Sequence, residues 1–455
     1  MSDPPGATGG EAKAPGAALE PEPLLRELGV FGIWALAING TIGAGIFGAP
    51  ALVAAETGAW SPLVFLLGGL LLAPVVLSFA EVASAFGGTG GPVLYTRTAF
   101  GPLAGFQVGW TFYIARVSAS AANVSLLVAS LGWFWPAAER GGVRLALLLV
   151  VCGLLTWVNV VGTRHAMRSL GGLTLLKFLP LVALVGFGLP RLELEALPFA
   201  TPEPAPTAGQ LGAAVMLSIY AFVGWEAALV PAGESRDPGR DMPRALLWAL
   251  ATATLLYVGV QAVSVSALPD LARTAERPLV AVGEALFGPP GAVLLTLGVI
   301  VSVAGNVASA VMSTPRITYA MARVGLLPRF FGGVHASFQT PSASILIYGG
   351  LFFALAATGS FAELARISVL TRLLIYLSVI AAAPRLRARD ADVPGRLRLP
   401  GGLAIHLVAG LVCLALLSQV GWPTVWRTAL YLAVGTLLYL VARRAPASRA
   451  AGPAG

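Results

Sequence analysis

Charge is scarce in this 455-residue chain: 11% of positions are Asp, Glu, Lys or Arg and 57% are hydrophobic, whereas soluble domains carry about 25% charge. With a mean hydropathy of +0.82, a set of water-soluble domains is excluded. Cysteine is nearly absent, and Cys152 and Cys413 lie in separate apolar runs, which excludes a disulfide framework and a cysteine metal site. The three histidines, His165, His335 and His406, are scattered. Without a His-Glu-x-x-His pattern or a paired nucleophile and base, neither a metal hydrolase nor another membrane enzyme is indicated, and no cofactor or metal is expected. The net charge of +8 resides mostly in arginines between the apolar runs, so nucleic-acid binding is not implied. No arginine-led apolar core with a small-residue cleavage site opens the chain, and a cleaved signal peptide is not expected. Residues 1–25, rich in Pro, Gly, Ala and Glu, read as a disordered cytoplasmic tail with too little apolar surface to offset ordering entropy.

What the chain has in abundance is long uncharged runs. Residues 28–55, 57–80, 245–269 and 285–315 contain no charged side chain, and each exceeds the roughly 18 residues needed to cross hydrocarbon. Apolar runs bounded by charge, Pro and Gly predict an all-α membrane protein with twelve transmembrane helices. The first six cover about 30–54, 61–86, 103–132, 143–161, 170–189 and 210–232. The second six cover about 244–267, 290–322, 342–358, 363–383, 403–419 and 424–442. Together they form one membrane transport domain over 26–445, with 446–455 as a short cytoplasmic C-terminus. An even count places both termini on one side. Arg26, Arg97, Arg164, Arg168, Arg236, Arg240, Arg244, Arg323, Arg329, Arg385, Arg387, Arg389, Arg396, Arg398, Arg443 and Arg444 fall on that side, against Arg140, Arg144, Arg191, Arg273, Arg277 and Arg427 on the other. The arginine excess marks the terminal side as cytoplasmic. Trp60, Trp133, Trp135, Trp422 and Trp426 then collect at the outer helix ends, where amphipathic rings favour the interface.

Two spans carry signals against continuity. The first contains Asn39-Gly-Thr-Ile-Gly-Ala-Gly-Ile-Phe47, and each glycine costs a helix about 1 kcal/mol relative to alanine. A break here would free N–H and C=O groups at a depth where lipid cannot satisfy them, which is tolerated only in a protein-lined cavity. The N–H groups at Gly43, Ala44 and Gly45, at the positive end of a half-helix, would suit a carboxylate. Carbonyls at Thr41 and Ile42 would suit an ammonium. The competing interpretation is that the glycines serve only close helix packing. The sixth span repeats the situation in Tyr220-Ala-Phe-Val-Gly-Trp-Glu226. Interrupted helices at corresponding positions of two five-helix halves point to an inverted-repeat secondary transporter with a midplane site.

Several motifs in order carry a family resemblance over spans one to ten. They are Gly40-Thr-Ile-Gly-Ala-Gly-Ile-Phe47, Leu77-Ser-Phe-Ala-Glu-Val-Ala-Ser-Ala-Phe86 with Thr89-Gly-Gly-Pro92, Ala221-Phe-Val-Gly-Trp-Glu-Ala227 with Pro231-Ala-Gly-Glu234, and Ser313-Thr-Pro-Arg-Ile-Thr-Tyr-Ala320 leading into Gly325-Leu-Leu-Pro328. The chain resembles an amino acid permease of the amino acid, polyamine and organocation (APC) superfamily. The resemblance implies a five-plus-five inverted repeat, about 30–189 and 210–383, with broken helices one and six. Helices eleven and twelve, about 403–442, would be peripheral. It also implies alternating-access transport of an amino acid in the cytoplasmic membrane. Proton symport and amino acid exchange remain the two coupling modes, and a monomer or weak homodimer the assembly. A polyamine or organic-cation carrier, or a transporter-like nutrient sensor, is the alternative. Carried over residue by residue, the main-chain cradle falls on Thr41, Ile42, Gly43, Ala44 and Gly45, with Tyr220 and Val223 completing the ammonium site. Tyr220 is also the aromatic gate, and Ser120 and Asn123 fall near third-helix positions that reach the substrate side chain. Where some relatives hold a large aromatic in the eighth helix, this chain has small residues around Ser309 and Ala310.

Ionisable side chains inside the membrane are functional candidates because each costs at least about 2.5–3.5 kcal/mol at the bilayer centre. Lys177 falls where some family members place a lysine ammonium in the position of a sodium ion, bridging helices one, five and eight. That implies sodium-independent transport; the alternative is a lysine snorkelling to the interface. Glu226 would either carry a proton beside the break or cap the broken helix. For Arg116 three roles compete: a buried bridge to Glu226 or another acid, selection of an anionic substrate side chain, or a place in a water-filled vestibule. Glu81, Arg316 and Arg372 are assigned to gating or packing, with the two arginines facing the inner vestibule.

Overall fold

The computed structural model describes residues 28–86, 91–161, 170–193, 195, 197–198, 204–229, 235–274, 276–389 and 397–444. The expected N-terminal tail, the C-terminus after 445, and motif residues 89–90 and 231–234 lie outside them. Sixteen α-helices follow one another among the described residues, beginning with α1 (Val30–Thr41), α2 (Ala44–Thr57), α3 (Ser61–Ser84), α4 (Gly91–Phe100), α5 (Pro102–Leu131), α6 (Gly141–Val161), α7 (Leu170–Gly188) and α8 (Ala208–Phe222). The remainder are α9 (Pro238–Ala267), α10 (Pro278–Phe287), α11 (Pro289–Ser313), α12 (Pro315–Arg323), α13 (Ser342–Thr358), α14 (Phe361–Arg389), α15 (Ala404–Leu417) and α16 (Trp422–Arg444). The only β pairing among the described residues is an isolated bridge between Leu28 and Ser235. Seven helical stretches are long and apolar enough to cross a membrane, and the chain is a multi-pass membrane protein.

Local chemistry explains the helix starts. Proline at the first turn loses no helical hydrogen bond, because its missing N–H would have been unpaired there anyway. It opens α5, α9, α10, α11 and α12. At α8 a reciprocal cap forms: Gln210 N–H donates to Thr207 Oγ1 at 3.3 Å and Thr207 N–H donates to Gln210 Oε1 at 3.0 Å, satisfying two end groups at once.

Two features depart from the sequence expectation. The stretch 290–322 is not one helix, since Pro315 lacks an N–H and its ring crowds the preceding turn; α11 stops at Ser313 and α12 restarts at Pro315. Short helices α4 and α10 occupy stretches expected to be connections. Spans one and six are interrupted where the glycines led one to expect it, the chain leaving helical geometry after Thr41 and after Phe222.

The interior is built around these interruptions. Phe222 of α8 and Phe65 of α3 pack on Tyr257 of α9, with centroids 5.1 and 6.2 Å away. Phe79, Trp225 and Tyr376 form a second aromatic cluster, at 5.1 to 5.6 Å. Small residues allow close approach between helices: a methyl on Gly298 of α11 would fall 2.5 Å from Pro180 of α7, and one on Gly68 of α3 would fall 2.6 Å from the Ser218 hydroxyl of α8. Outward faces of α6, α15 and α16 expose Leu149, Trp157, Leu407, Leu411 and Leu437, apolar surface suited to lipid.

A close backbone approach joins Gly40 to Gly224. A Cβ on either would collide with the other's carbonyl, and Gly224 has φ +121°, a left-handed conformation that only glycine adopts without strain. Gly224→Ala is expected to destabilise the purified protein by more than the roughly 1–3 kcal/mol of backbone strain alone, read as a lower unfolding temperature, whereas Gly29→Ala, with open space around its Cβ position, leaves it unchanged.

Candidate functional site

The first break runs through two residues. Thr41 ends α1, Ile42 is extended at φ −76°, ψ 101°, Gly43 at φ −144°, ψ −154°, and α2 begins at Ala44. The first N–H groups of a helix lack an intrahelical acceptor, so Ala44 and Gly45 present theirs to the break. Asn123 of α5 meets the first of these: its Oδ1 accepts from Ala44 N–H at 3.0 Å, while its Nδ2 donates to Ala119 O at 2.7 Å. An amide oxygen thus stands where a carboxylate oxygen would be bound.

The second break mirrors the first. Val223 leaves α8 at φ −72°, ψ 150°, Gly224 turns the chain, and a short 3-10 helix runs over Trp225–Leu229. Side chains from other helices take up the freed carbonyls on both sides. The Tyr257 hydroxyl reaches Ala221 O at 3.1 Å and Thr41 O at 3.4 Å, linking the two breaks. Ser302 donates to Ile42 O and Asn306 to Gly40 O, each at 3.4 Å.

Gly43 sits between two amides. A Cβ added there would lie 3.1 Å from Asn306 Nδ2 and 3.5 Å from Asn123 Oδ1. Its backbone is extended, open to any residue, so space alone favours glycine. At Gly45 a Cβ would fall 2.5 Å from Ala221 Cα. Tyr220 is buried on the α2 side of the break and stands edge-on to Phe361, 5.6 Å away; a methyl on Gly48 would come within 2.6 Å of that same Phe361 ring.

The structure therefore brings Thr41, Ile42, Gly43, Ala44, Gly45, Asn123, Tyr220 and Val223 around the paired breaks. Ser120 is engaged elsewhere, its hydroxyl 2.8 Å from that of Tyr348 of α13. Four contributors escaped the sequence reading: Asn306, Ser302, Tyr257 and Asn39. Asn306 carried a usable signal, as the one amide side chain in the uncharged run 285–315.

The charged residues fall into separate settings. Lys177 is buried, 1% exposed, with Nζ 2.8 Å from Asn39 Oδ1 and 3.4 Å from Asn39 O. An ammonium from α7 is thereby fixed on the last turns of α1, away from the interface. Glu226 pairs with Arg372 of α14 at 2.7 Å, both side chains 3% exposed. Its second oxygen accepts from Gly224 N–H at 2.9 Å and from the Tyr376 hydroxyl at 3.4 Å. Arg372, expected in the vestibule, is instead buried; it also bonds to Ser368 Oγ. The partner of Glu226 is Arg372 rather than Arg116, because α14 delivers its guanidinium directly to the second break.

Arg116 points toward the N-terminal end of α5, as helical side chains do. Its guanidinium lies 5.8 Å from the Phe112 ring centroid and its Nη2 3.5 Å from Ser313 Oγ. Two helical turns, about 10 Å, separate its Cα from that of Asn123, so Arg116 belongs to the space beyond the cradle. Arg316 is exposed on α12. Glu81 sits between Arg387 at 3.4 Å and His406 at 3.5 Å, and accepts from Leu399 N–H at 3.0 Å, tying α3 to α14 and α15.

Comparison with known proteins fits this geometry. The family model described as amino acid permease matches residues 28–440. The chain is similar to the branched-chain amino acid permease BcaP of Bacillus subtilis (strain 168), at 26% identity covering 92% of this chain and 94% of that one. It is similar to the serine/threonine exchanger SteT of the same organism, at 28% identity with 80% and 84% covered. The methylthioribose transporter of that organism shares 27% identity, with 92% and 94% covered. These relatives are transporters, not enzymes.

Removing one member of a buried ion pair strands the other and costs about 3–5 kcal/mol. Glu226→Gln is accordingly expected to lower stability by that order in thermal unfolding, and Glu226→Gln combined with Arg372→Met to recover most of the loss.

Proposed function

We propose, on the premise that this chain belongs to the amino acid permease family, that it carries an amino acid across the cytoplasmic membrane by alternating access without sodium. The observation that carries this reading is the pair of chain breaks set face to face, one of them offering the N-terminal N–H groups of α2. The α-carboxylate of the substrate docks on Gly43, Ala44 and Gly45 and displaces the Asn123 amide oxygen, leaving Asn123 to turn toward the substrate. The ammonium docks on carbonyls of Thr41, Ile42, Tyr220 and Val223. Backbone thus recognises what all α-amino acids share, and selectivity falls to side chains around it: Asn123, Asn306 and Tyr220, with Tyr220 against Phe361 as the aromatic cover.

The twelve-span arrangement follows by joining α1 to α2 and α8 to its 3-10 continuation, with α3, α5, α6, α7, α9, α11, α13, α14, α15 and α16 as the other spans. A correspondence between halves supports the five-plus-five repeat. In the first, Lys177 of the fifth span is bonded to the first-span residue Asn39; in the second, Arg372 of the fifth span is bonded to Glu226 after the break. Each half anchors its own broken helix with a cation from its last helix. Lys177 places an ammonium beside the first break, which removes the need for a metal cation there. Proton symport and exchange both fit this frame. The arginine asymmetry supports cytoplasmic termini, and a monomer suffices because the site is built within one chain.

Gly43→Ala introduces a methyl between Asn123 and Asn306 without backbone strain. It is expected to reduce radiolabelled amino acid uptake in proteoliposomes on the order of tenfold, equivalent to about 1.4 kcal/mol, with little change in unfolding temperature; full uptake in the variant would refute the cradle. Uptake by the unmodified protein is expected to persist when sodium is replaced by choline, and its disappearance would remove the role given to Lys177.

A further inference from the structure

Away from the breaks, a cavity of about 580 Å³ lies between α4, α5, α14 and α16, within the roughly 300–1,000 Å³ range of small-ligand sites. Its walls are apolar or hydroxylic: Phe100 of α4, Val108 of α5, Leu374, Leu377 and Ala381 of α14, and Leu432 of α16. The single amide among them, Gln107, is spent on Thr436 Oγ1 at 2.7 Å. No acidic side chain lines it. The cavity opens on the lipid-facing side of the bundle, where Phe100 and Ala381 are exposed.

One end of this groove is cationic. Leu374, Ser378, Ala381 and Arg385 recur along one face of α14, and the Arg385 guanidinium lies 4.6 Å from the Phe100 ring centroid, its Nη1 3.5 Å from Ala99 O. Arg97 lies one turn before Phe100 on α4 and is exposed. On α16, Tyr439 packs on Phe106 at 4.8 Å, and Arg443 one turn further lies over the Tyr439 ring at 5.7 Å. The α5–α16 contacts run antiparallel, from Trp110 at Tyr431 to Phe106 at Tyr439. Arg443 is thereby level with the start of α5, beside Arg97 and Arg385. None of the three has a carboxylate partner among the described residues. An apolar slot ending in three arginines without a carboxylate partner among the described residues has the charge and shape of a site for a molecule with an apolar chain and an anionic head.

We propose that this groove binds one acyl chain of an anionic phospholipid, with the lipid phosphate held by Arg97, Arg385 and Arg443. Basic pockets between transmembrane helices at the cytoplasmic face have this chemistry. The chain of such a lipid lies along Leu374, Leu377 and Ala381, on the same helix that delivers Arg372 and Tyr376 to Glu226. An occupied groove therefore braces α14 against α4, α5 and α16, and the lipid supports the helix that anchors the second break.

The full-length protein in detergent micelles, equilibrated with equal amounts of phosphatidylglycerol and phosphatidylcholine, tests this by native mass spectrometry of the retained lipid. The unmodified protein is expected to retain phosphatidylglycerol in preference to phosphatidylcholine. Each of Arg97→Gln, Arg385→Gln and Arg443→Gln is expected to reduce that preference by about fivefold, from the roughly 1 kcal/mol that one basic residue gains at an anionic surface. Ala381→Trp, which fills the groove and leaves the arginines, is expected to reduce retention of both lipids, while Arg144→Gln on α6 changes nothing. Equal retention of the two lipids by the unmodified protein, or an unchanged preference in the triple glutamine variant verified as folded by its unfolding temperature, would overturn the proposal. Because the readout is lipid retention, it is independent of which solute the cradle carries.

Discussion

Unpaired backbone groups at membrane depth are the constraint on which the rest of this structure depends. Lipid offers no hydrogen bonds, so a helix that stops inside the bilayer must find partners for every N–H and C=O it releases. Two helices stop here, and they stop against each other, with Gly40 and Gly224 in a contact no side chain could enter. Around that contact the surrounding helices send in Asn123, Tyr257, Ser302 and Asn306, each directed at a backbone atom of a break. These are polar residues in otherwise apolar helices, and their positions follow from the groups they satisfy.

The charges serve the same arrangement. An unpaired cation in the hydrocarbon region is expensive, and Lys177 and Arg372 each spend their hydrogen bonds on a residue flanking a break. The breaks are then held from two directions, by neutral donors on α9 and α11 and by cations on α7 and α14. In the proposed reading the site is fixed by the bundle, and the Ala44 N–H at the start of α2 is met by an amide that a stronger acceptor can replace. A carboxylate is such an acceptor, being ionised and matched to the positive helix end.

Much of this was legible before any coordinates. Gly40, Gly43 and Gly45 locate the first break because three glycines in six residues cannot sustain a helix at that depth without a reason, and Gly224 with Glu226 locates the second. The helix boundaries follow from charge and proline, but the division of the long stretch after 290 at Pro315 was not anticipated, since that stretch read as one span. The pairing of Glu226 was not legible: its partner lies 146 residues away, and Arg116 and Arg372 are equally plausible by composition. Ser302 and Tyr257 were hidden for a related reason. A lone polar residue in an apolar helix reads as ordinary packing until the carbonyl opposite it is known. Helices α4 and α10 were missed because ten residues are too few to register as a span.

The central claim is that backbone at the first break recognises the α-carboxylate and α-ammonium together. A thermal-shift series on the purified protein measures this most directly, since a ligand that binds the native state raises its apparent stability by mass action. The compounds are free α-amino acids, the amines that result from their decarboxylation, and their N-acetyl derivatives. The account predicts dose-dependent stabilisation by one or a few free α-amino acids and none by the corresponding amines or N-acetyl forms. Stabilisation by amines lacking a carboxylate, with silence across the amino acids, would contradict it and assign the site to organic cations.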